Sequence, residues 1–398
     1  MRFADLNLDE QLLEALSYMN FVEATPIQEQ AIPFILDKKD LIACAQTGTG
    51  KTGAFLLPVL NRIITSGSKD CNTLIVVPTR ELAIQIDQQI QGFSFFLDVH
   101  SICIYGGGDG IDFAQEKKAL TGGTNIIVAT PGKLISHLNM GYVKFDKIEH
   151  LILDEADRML DMGFVDDLQK IITYLPKERQ NLMFSATMPP KIRTFMRTFL
   201  KDPEEISIAI SKPAAGVLQA AYAVYEEQKI DLINALLKGK ENYKSVIIFS
   251  STKKKVFEIL KGLKRAKYSV EAMSSDFEQS EREEVLLKFK SKKIQILVAT
   301  DVISRGIDIK DINLVINFDV PGDAEDYVHR IGRTARANTT GVALTLVNPD
   351  DMYKFSKIEE LIQTDVAKAP IPAELGKAPE WSKGKPKGGN RNFKKKRR

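Results

Sequence analysis

Two short segments of the sequence carry residues that suit phosphate chemistry, and the first is residues 45–52, AQTGTGKT. It follows a short apolar run that is typical of a buried strand. Its glycines allow backbone N–H groups to turn toward a phosphate, Lys51 can reach the outer phosphates, and the Thr52 hydroxyl can hold Mg²⁺. Ala45 stands where the strict pattern of such loops has glycine, so this segment alone would also fit a structural turn between strand and helix.

The second segment is residues 154–157, DEAD, directly after the apolar run 151–153. Asp154 offers a carboxylate for the same Mg²⁺, and Glu155 offers one that can orient or deprotonate a water. Acids at the end of a strand can also cap a helix, and we expect Asp157 to serve partly in that way. Together the two segments predict that the chain binds and hydrolyses a nucleoside triphosphate.

The composition bounds the class of protein. A chain of 398 residues is too long for one ordinary hydrophobic core and predicts two domains. With 44% hydrophobic and 27% charged residues, no apolar run near the length of a membrane span and no apolar leader, we expect a soluble protein with no membrane partner. Cys44, Cys71 and Cys103 lack C-x-x-C spacing and the four histidines lack zinc spacing, which favours core thiols in the cytoplasm.

The charge of the chain is unevenly distributed. Residues 381–398 contain nine Lys or Arg and no acid, so the other 380 residues hold 46 basic and 52 acidic side chains, a net charge of −6. An acidic body with a basic tail indicates a nucleic-acid partner. A charge run of this kind can equally be a solvated tail, but Trp381 and Phe393 could stack on unpaired bases, which favours an RNA tether.

Strand-like runs alternate with helical patterns, as in parallel sheets with crossover helices. Before residue 200 the runs are 40–44, 73–77, 101–105, 125–129, 150–154 and 181–184, and after a lapse they are 219–225, 246–249, 269–273, 295–299, 314–318 and 342–347. The pattern predicts an α/β fold with two parallel-sheet domains, 1–209 and 217–370, joined by the linker 210–216. Residues 371–398 are rich in Pro, Lys, Gly and Asn, so we expect a disordered basic tail.

Further motifs occur in a fixed order along the chain. They are FVEATPIQ at 21–28, PTRELA at 78–83, Gly106-Gly107, TPGK at 130–133, SAT at 185–187, Gln279-x-x-Arg282, ATDVISRGID at 299–308 and HRIGRTAR at 329–336. With these, residues 3–347 resemble the DEAD-box ATP-dependent RNA helicases, and the short body and basic tail resemble their bacterial RhlE-like subgroup. The resemblance implies two tandem RecA-like domains, ATP as substrate, Mg²⁺ as cofactor, and local RNA unwinding with remodelling of RNPs.

The resemblance assigns a nucleotide site. It gives Gln28 the adenine, which an amide can recognise at N7 and N6, with Thr25 assisting and Phe21 stacking on the base, although Phe21 alone would suit a core. The expected nucleotide-binding residues are Phe21, Thr25, Gln28, Gln46, Thr47, Gly48, Thr49, Gly50, Lys51, Thr52, Gly306 and Asp308, and those for Mg²⁺ are Thr52 and Asp154. The expected catalytic residues are Lys51, Asp154, Glu155, Arg333 and Arg336, with Asp157, Ser185, Thr187 and His329 coupling nucleotide to RNA.

The same resemblance assigns RNA contacts to loops whose backbone donors suit phosphate oxygens and carry no base information. The candidates are Pro78, Thr79, Arg80, Glu81, Gly106, Gly107, Thr130, Pro131, Gly132, Lys133, Thr252, Gln279, Arg282 and Thr300. RNA binding should therefore be largely independent of sequence. The expected partners are RNA and RNPs of the ribosomal or RNA-degradation machinery, and the chain should act as a monomer.

Three positions depart from the family pattern: Ala335 replaces Gly, Lys133 replaces Arg, and Ser274-Ser275 replaces a His-Gly-like pair. Lys133 keeps a charge for a phosphate but loses the bidentate fork of arginine. Two other functions remain open, an RNA clamp that does not unwind and a DNA helicase of the same superfamily. A duplex-separation assay would test the first, and a comparison of RNA with DNA as activator of ATP hydrolysis would test the second.

Overall fold

The structure is a computed structural model that describes residues 1–45, 48–107, 110–188, 190–208, 217–240, 243–274, 277–300, 312–322, 324–334 and 341–382. The described residues up to 208 form one compact unit, and those from 217 onward form a second. Among the helices described, none is long and apolar enough to cross a membrane.

The first unit is built on a parallel sheet of seven strands in the order β3-β4-β2-β5-β6-β1-β7. The strands are β1 Leu41–Cys44, β2 Thr73–Val76, β3 Ser101–Ile104, β4 Ile126–Ala129, β5 His150–Leu153, β6 Gln180–Ser185 and β7 Glu204–Ser207. The helices are α1 Glu10–Tyr18, α2 Pro26–Leu36, α3 Lys51–Ser66, α4 Arg80–Phe93, α5 Gly110–Thr121, α6 Pro131–Asn139, α7 Ala156–Asp161, α8 Val165–Thr173 and α9 Pro190–Met196.

Helices cover both faces of this sheet. Successive residues of β2 belong to two separate apolar clusters, with Ile75 in one and Leu74 and Val76 in the other. Alternate side chains of a strand point to opposite faces, so a sheet that is covered on both faces needs nearly continuous apolar strands. That requirement explains why the strands of this unit are short apolar runs rather than alternating polar and apolar patterns.

The second unit has a second parallel sheet of seven strands, in the order β10-β11-β9-β12-β13-β8-β14. The strands are β8 Val217–Ala223, β9 Val246–Phe249, β10 Val270–Met273, β11 Ile296–Ala299, β12 Leu314–Asn317, β13 Gly341–Val347 and β14 Ala367–Ala369. The helices described are α10 Lys229–Leu237, α11 Lys253–Arg265, α12 Gln279–Lys290, α13 Ala324–Ile331 and α14 Met352–Ile362. Counted from its own first strand, this sheet repeats the strand order of the first one.

The predicted α/β class and the twelve predicted strands are confirmed, whereas β7 and β14 were not predicted. β7 has the sequence EEIS and β14 has the sequence AKA, so neither contains an apolar run. Each is the last strand at one edge of its sheet and pairs with a single neighbour. An edge strand needs little burial of its own, which is why the apolar pattern missed both.

The predicted start of the disordered tail at residue 371 is wrong. Ile371 and Leu375 pack against the core of the second unit, and Gln228 Nε2 donates to the Leu375 carbonyl at 2.6 Å. Trp381 lies against the Phe355 ring, with centroids 6.1 Å apart. A few apolar anchors at wide spacing therefore hold a segment whose average composition is that of a disordered chain. Residues 383–398 lie outside the described residues.

Candidate functional site

The phosphate loop connects the end of β1 to α3. Gly48 and Gly50 have φ of 82° and 95°, a left-handed conformation that glycine adopts without a Cβ penalty. Gly50 is the N-cap of α3, so the free N–H groups of the first helical turn face the loop. Lys51 is 6% exposed, and its ammonium donates to the Ala45 carbonyl at 2.6 Å. The loop thus combines a helix N-terminus with a buried cation.

The acidic segment follows β5. Asp154 is 3% exposed, and its Oδ1 accepts from the Glu155 N–H at 2.9 Å. Burial raises the pKa of Asp154 to about 6, although the charge of Lys51 acts in the opposite direction. The buried Asp154 carboxylate and the Thr52 hydroxyl, in the first turn of α3, are hard oxygen donors of the kind that suits Mg²⁺, so these residues fit the expected metal.

Glu155 has a left-handed backbone, with φ 50° and ψ 49°. This conformation costs a residue other than glycine about 1–2 kcal/mol, and such strain is concentrated at functional sites. The Arg158 guanidinium lies 3.2 Å from Glu155 Oε2, and both side chains are mostly buried. Sequence analysis missed Arg158, although its spacing of three residues from Glu155 on a helix was a usable signal.

Asp157 joins the acidic segment to the segment after β6. Its Oδ2 accepts from the N–H groups of Ala186 and Thr187 at 3.2 and 2.9 Å, and from the Thr187 hydroxyl at 2.9 Å. Ser185 Oγ accepts from the Asp157 N–H and donates to the Thr187 carbonyl. The expected contact is therefore present. The expectation that Asp157 partly caps the helix also agrees with the structure: Glu155 occupies the N-cap position of α7, and Asp157 Oδ1 accepts from the Arg158 N–H of the first turn at 3.0 Å.

Gln28 lies against the phosphate loop. It is 3% exposed, its Nε2 donates to the Gly50 carbonyl at 3.0 Å, and its Oε1 accepts from the Thr25 N–H at 2.9 Å. One N–H and one lone pair of the amide remain for a base. Phe21 is 40% exposed, and its ring lies 5.7 Å from the Phe93 ring, edge-on, and 6.4 Å from the Phe3 ring, measured between centroids. The predicted adenine residues thus lie beside the predicted phosphate residues.

The predicted RNA residues of the first unit all follow the carboxyl ends of β2, β3 and β4, which are neighbours in the sheet. Thr79 is the N-cap of α4, and its hydroxyl accepts from the Leu82 N–H at 3.4 Å. Gly106 and Gly107 follow β3, and Thr130 is the N-cap of α6 with Pro131 at its first turn. The phosphate loop follows β1, the acidic segment follows β5 and the coupling segment 185–187 follows β6, whereas Phe21, Thr25 and Gln28 precede β1. One edge of the sheet therefore carries both candidate sites, side by side.

Two cations of the RNA group are engaged within the unit. The Arg80 guanidinium lies 4.5 Å from the centroid of the Tyr105 ring. The Lys133 ammonium lies 3.0 Å from Glu116 Oε2 and is only 17% exposed. Neither Tyr105 nor Glu116 was singled out by the sequence, because the contacts join separate crossover segments.

The second unit repeats this placement. Thr252 follows β9 and is the N-cap of α11, with its hydroxyl accepting from the Lys255 N–H at 3.3 Å. Thr300 follows β11, and α12 begins at Gln279, whose side chain lies outside the described residues. Arg282 Nε donates to the Phe277 carbonyl at 3.1 Å. These positions follow β9, β10 and β11, the counterparts of the strands that carry the RNA residues of the first unit.

The remaining predictions concern the segment around α13. His329 lies in its last turn and Arg333 lies just beyond it, and both are partly buried. The neighbouring Arg330 is 3% exposed and donates to the Asp319 carbonyl at 2.7 Å. Other predicted residues lie outside the described residues: Gln46, Thr47, Gly306, Asp308 and Arg336.

Asp319 is a buried charge that sequence analysis did not find. Its Oδ2 accepts from the Ser251 N–H at 2.8 Å and its Oδ1 lies 2.6 Å from the Lys255 ammonium. Although burial acts against it, these hydrogen bonds and the charge of Lys229 hold the pKa of Asp319 far below its usual range. The contact fixes the loop that precedes Thr252. No local pattern signals it, because Asp319 and the loop are far apart in the sequence.

Comparisons with known sequences agree with this geometry. A sequence model described as DEAD/DEAH box helicase matches residues 25–195, and one described as helicase conserved C-terminal domain matches residues 228–338. The ATP-dependent RNA helicase CshA of Listeria monocytogenes is 42% identical over 360 residues, which cover 90% of this chain and 68% of that protein. The DEAD-box ATP-dependent RNA helicase CshA of Bacillus subtilis is 40% identical over 359 residues, 90% of this chain and 72% of that one.

Solved structures are similar over nearly the whole chain. The structure of S. cerevisiae Dbp5 bound to RNA and ADP BeF3 has a TM-score of 0.82 at 29% identity, covering 93% of this chain and 95% of that one. The structure of Mss116p bound to ssRNA and AMP-PNP has a TM-score of 0.81 at 28% identity, covering 94% of this chain and 79% of that one. The two sheets, the phosphate loop, the acidic segment and these relatives lead to one conclusion: the chain belongs to the DEAD-box family of ATP-dependent RNA helicases.

Proposed function

We propose that this protein hydrolyses ATP when RNA is bound and uses the cycle to separate short RNA duplexes and remodel RNPs. The observation that carries the proposal is that candidate nucleotide and RNA residues share one edge of the first sheet, with Asp157 bonded to the 185–187 segment. The printed names of the relatives, which are ATP-dependent RNA helicases, support the same activity. The repeated edge in the second sheet supplies further RNA contacts.

The phosphate loop and the acidic segment form the nucleotide site in this proposal. Lys51 exchanges its bond to the Ala45 carbonyl for the outer phosphates, and Thr52 and Asp154 hold Mg²⁺, which supplies Lewis-acid stabilisation of phosphate charge when bound. Gln28 uses the remaining capacity of its amide on adenine, and Phe21 offers its partly exposed ring to the base. The other nucleotide residues are assigned by the family pattern.

Glu155 orients the attacking water. Its carboxylate is held by Arg158, and its strained backbone fixes the direction in which the side chain leaves the strand. Arg333 and Arg336, from the second unit, neutralise the charge that develops on the transferred phosphoryl group. Hydrolysis then needs both units, which makes ATP binding and RNA binding mutually reinforcing.

RNA binding in this proposal is through phosphates and sugars and is largely independent of sequence. Support comes from the helix N-termini capped by Thr79 and Thr252, which point N–H groups toward an anion. We further propose a monomer that works in the cytoplasm on ribosomal or RNA-degradation particles. The three cysteines form no disulfide, which suits a reducing compartment.

The test has two measurements. Phosphate release is measured without nucleic acid, with RNA and with DNA, and strand separation is measured with a short labelled RNA duplex and with a DNA duplex of the same sequence. We expect ATP and RNA together to give both activities, with DNA much less effective. Glu155→Gln should keep ATP and RNA binding and lose about 10²–10⁴-fold in hydrolysis, because its shape survives and its charge does not. Glu149→Gln, at the other end of β5 and 48% exposed, is the matched control and should behave as wild type.

Each part of the proposal has a result that would contradict it. ATP-dependent RNA binding without strand separation would make the protein a clamp. Equal stimulation by DNA would contradict the RNA assignment. Unchanged hydrolysis in Glu155→Gln would show that Glu155 does not orient the water.

A further inference from the structure

The ion pair between Lys133 and Glu116 lies inside the proposed RNA site. Lys133 is in the first turn of α6, directly after β4, and Glu116 is on α5. The ammonium and Glu116 Oε2 are 3.0 Å apart, and the two side chains are only 17% and 7% exposed. Of the two partners, the cation belongs to the predicted RNA residues and the acid does not.

His137 binds the same carboxylate oxygen. Its Nε2 lies 3.0 Å from Glu116 Oε2, its Nδ1 contacts the Tyr142 hydroxyl, and the side chain is fully buried. Burial lowers the pKa of His137 from its ordinary value, although Glu116 acts in the opposite direction. Because a carboxylate only accepts, the imidazole Nε2 donates this hydrogen bond, and the charge of Lys133 adds to burial in lowering the pKa.

An aromatic ring completes the setting. Phe113 stacks on His137, with centroids 4.9 Å apart and an interplanar angle of 14°, and its centroid lies 5.6 Å from the Lys133 ammonium. Within the described residues, Lys133 and His137 are the side chains that lie against the Glu116 carboxylate, and Lys133 carries the positive charge. Lys133 is thus the cation that compensates a buried carboxylate in partly apolar surroundings.

This pairing changes what an RNA phosphate must do to bind Lys133. A surface lysine only exchanges water and counterions for the phosphate. Lys133 would also have to leave Glu116 as a buried carboxylate without its ammonium partner, and separating a buried ion pair is strongly unfavourable. RNA must therefore displace the Glu116 carboxylate from Lys133, which costs more free energy than displacing water and counterions from an exposed lysine.

We propose that Glu116 is a positioning residue that withholds Lys133 from RNA phosphates and so lowers the affinity of the first unit for RNA. The inference rests on the proposed RNA-binding function, because it assigns a control to that same site. It predicts that Lys133 contributes to RNA binding only when the Glu116 charge is removed.

The experiment is a double-mutant cycle with single-stranded RNA, titrated at several salt concentrations in the full chain. Glu116→Gln keeps a hydrogen-bond acceptor for His137 and removes the charge. We expect it to bind RNA more tightly and to steepen the slope of log affinity against log salt by about 0.7, the value for one more neutralised phosphate on a single strand. Its advantage over wild type should shrink about 2.5-fold between about 50 and about 200 mM salt.

Lys133→Met completes the cycle. In the wild-type background it leaves Glu116 without its cation, so we expect a lower unfolding midpoint in denaturant but an unchanged salt slope for the folded protein. In the Glu116→Gln background we expect it to remove the whole gain. A merely structural role for Glu116 would weaken binding and would not create a gain that depends on Lys133. If Glu116→Gln fails to fold, Lys133→Met alone still tests the proposal. A salt slope that is shallower by about 0.7 than that of wild type would show that Lys133 already contacts a phosphate, and would overturn the proposal.

Glu178→Gln is the matched control. Glu178 lies just before the amino end of β6, whereas the candidate sites lie at the carboxyl ends of the strands. It pairs with Lys201 at 3.1 Å, and both side chains are exposed. Glu178→Gln also removes one negative charge and releases a lysine, and it should not change the slope of log RNA affinity against log salt. An equal gain in this control, or no gain in Glu116→Gln, would overturn the proposal while RNA binding by wild type stands. A wild-type chain that binds no RNA would overturn the proposed function and this inference with it.

Discussion

At the scale of single residues, Gln28 shows how one side chain connects two parts of a site. Its amide bonds the Gly50 carbonyl at the N-cap of α3 and the Thr25 N–H at the N-cap of α2. A base that binds the remaining N–H and lone pair would therefore act on a group that already braces the phosphate loop. Recognition of adenine and the shape of the loop are linked through the same amide.

Gln28→Ala should reduce the preference for ATP over GTP and also destabilise the first unit. The variant leaves the partly buried Thr25 N–H without its partner, and such a loss costs about 1 kcal/mol. Binding of ATP and GTP and the midpoint of denaturant unfolding measure the two effects. Gln30→Ala, an exposed position on the same helix, is the control and should change neither. A preference for ATP that survives Gln28→Ala would contradict the adenine role.

His150 is a second residue whose burial has a measurable consequence. Its Nδ1 bonds Gln180 Oε1 at 2.9 Å, and its Nε2 is buried with no partner among the described atoms. Burial, with the charge of Arg62 adding to it, lowers the pKa of His150 to about 4. The folded pKa lies below the unfolded value of about 6.5, so between the two the unfolded chain binds more protons.

The unfolding free energy of wild type should therefore lose a contribution on the order of 3 kcal/mol from His150 as the pH falls from about 6.5 to about 4. Asp154 acts in the opposite direction over a similar range, because its folded pKa is raised. The informative quantity is thus the difference between wild type and His150→Asn, which retains a donor for Gln180, measured by denaturant unfolding across this range. A difference that does not change with pH would contradict the burial argument.

At the scale of elements, a threonine caps the helix that follows equivalent strands of the two sheets. Thr79 follows β2 and Thr252 follows β9, and their backbone angles agree within a few degrees, φ −136° and ψ 153° against φ −137° and ψ 149°. In each case the hydroxyl accepts from the N–H three residues later, which leaves the other N–H groups of the first turn for an anion.

Thr79→Ala should therefore lower the stability of the first unit by about 1 kcal/mol and weaken RNA binding, whereas Thr79→Ser should retain both properties. The reason is that serine keeps the capping oxygen and alanine removes it. Thermal unfolding and RNA titration at fixed salt are the measurements, with Thr252→Ala and Thr252→Ser as the parallel pair in the second unit. Equal RNA affinity for the alanine and serine variants would show that the cap does not shape the RNA site.

At the scale of the whole molecule, the C-terminal residues divide into two parts with different roles. Residues up to 382 pack on the second unit through Ile371, Leu375 and Trp381, and Lys368 lies 4.8 Å from the centroid of the Trp381 ring. The nine cations all lie beyond this point, in residues 383–398. Trp381 therefore packs on Phe355 while 37% of it remains exposed, and its stacking on RNA stays a prediction.

Deletion of residues 383–398 should weaken RNA binding at low salt and leave ATP turnover at saturating RNA nearly unchanged. If about half of the nine cations contact phosphates, the salt slope should flatten by about three units. Deletion of 371–398 should in addition lower the melting temperature, because it removes apolar side chains from the core of the second unit. An unchanged salt slope in the shorter deletion would mean that the tail does not contact RNA, whatever its charge.

The sequence alone determined the features that depend on neighbouring residues. The phosphate loop, the acidic segment and twelve of the strands are local patterns, because turn geometry and strand burial act over a few residues. The order of the motifs also identified the family. The edge strands β7 and β14, by contrast, form only because a finished sheet offers them an unpaired neighbour.

Only the tertiary structure decided which charged side chains are buried and paired. Lys133 has the same sequence signal as an exposed lysine, yet its pairing with Glu116 across two helices removes it from solvent. Asp319 likewise has no distinguishing pattern in the sequence. In the fold it is buried, and it binds Ser251 in the loop before Thr252 and Lys255 after it. The physical reason is that burial and partner choice depend on segments brought together from distant parts of the chain, and residue spacing carries no record of them.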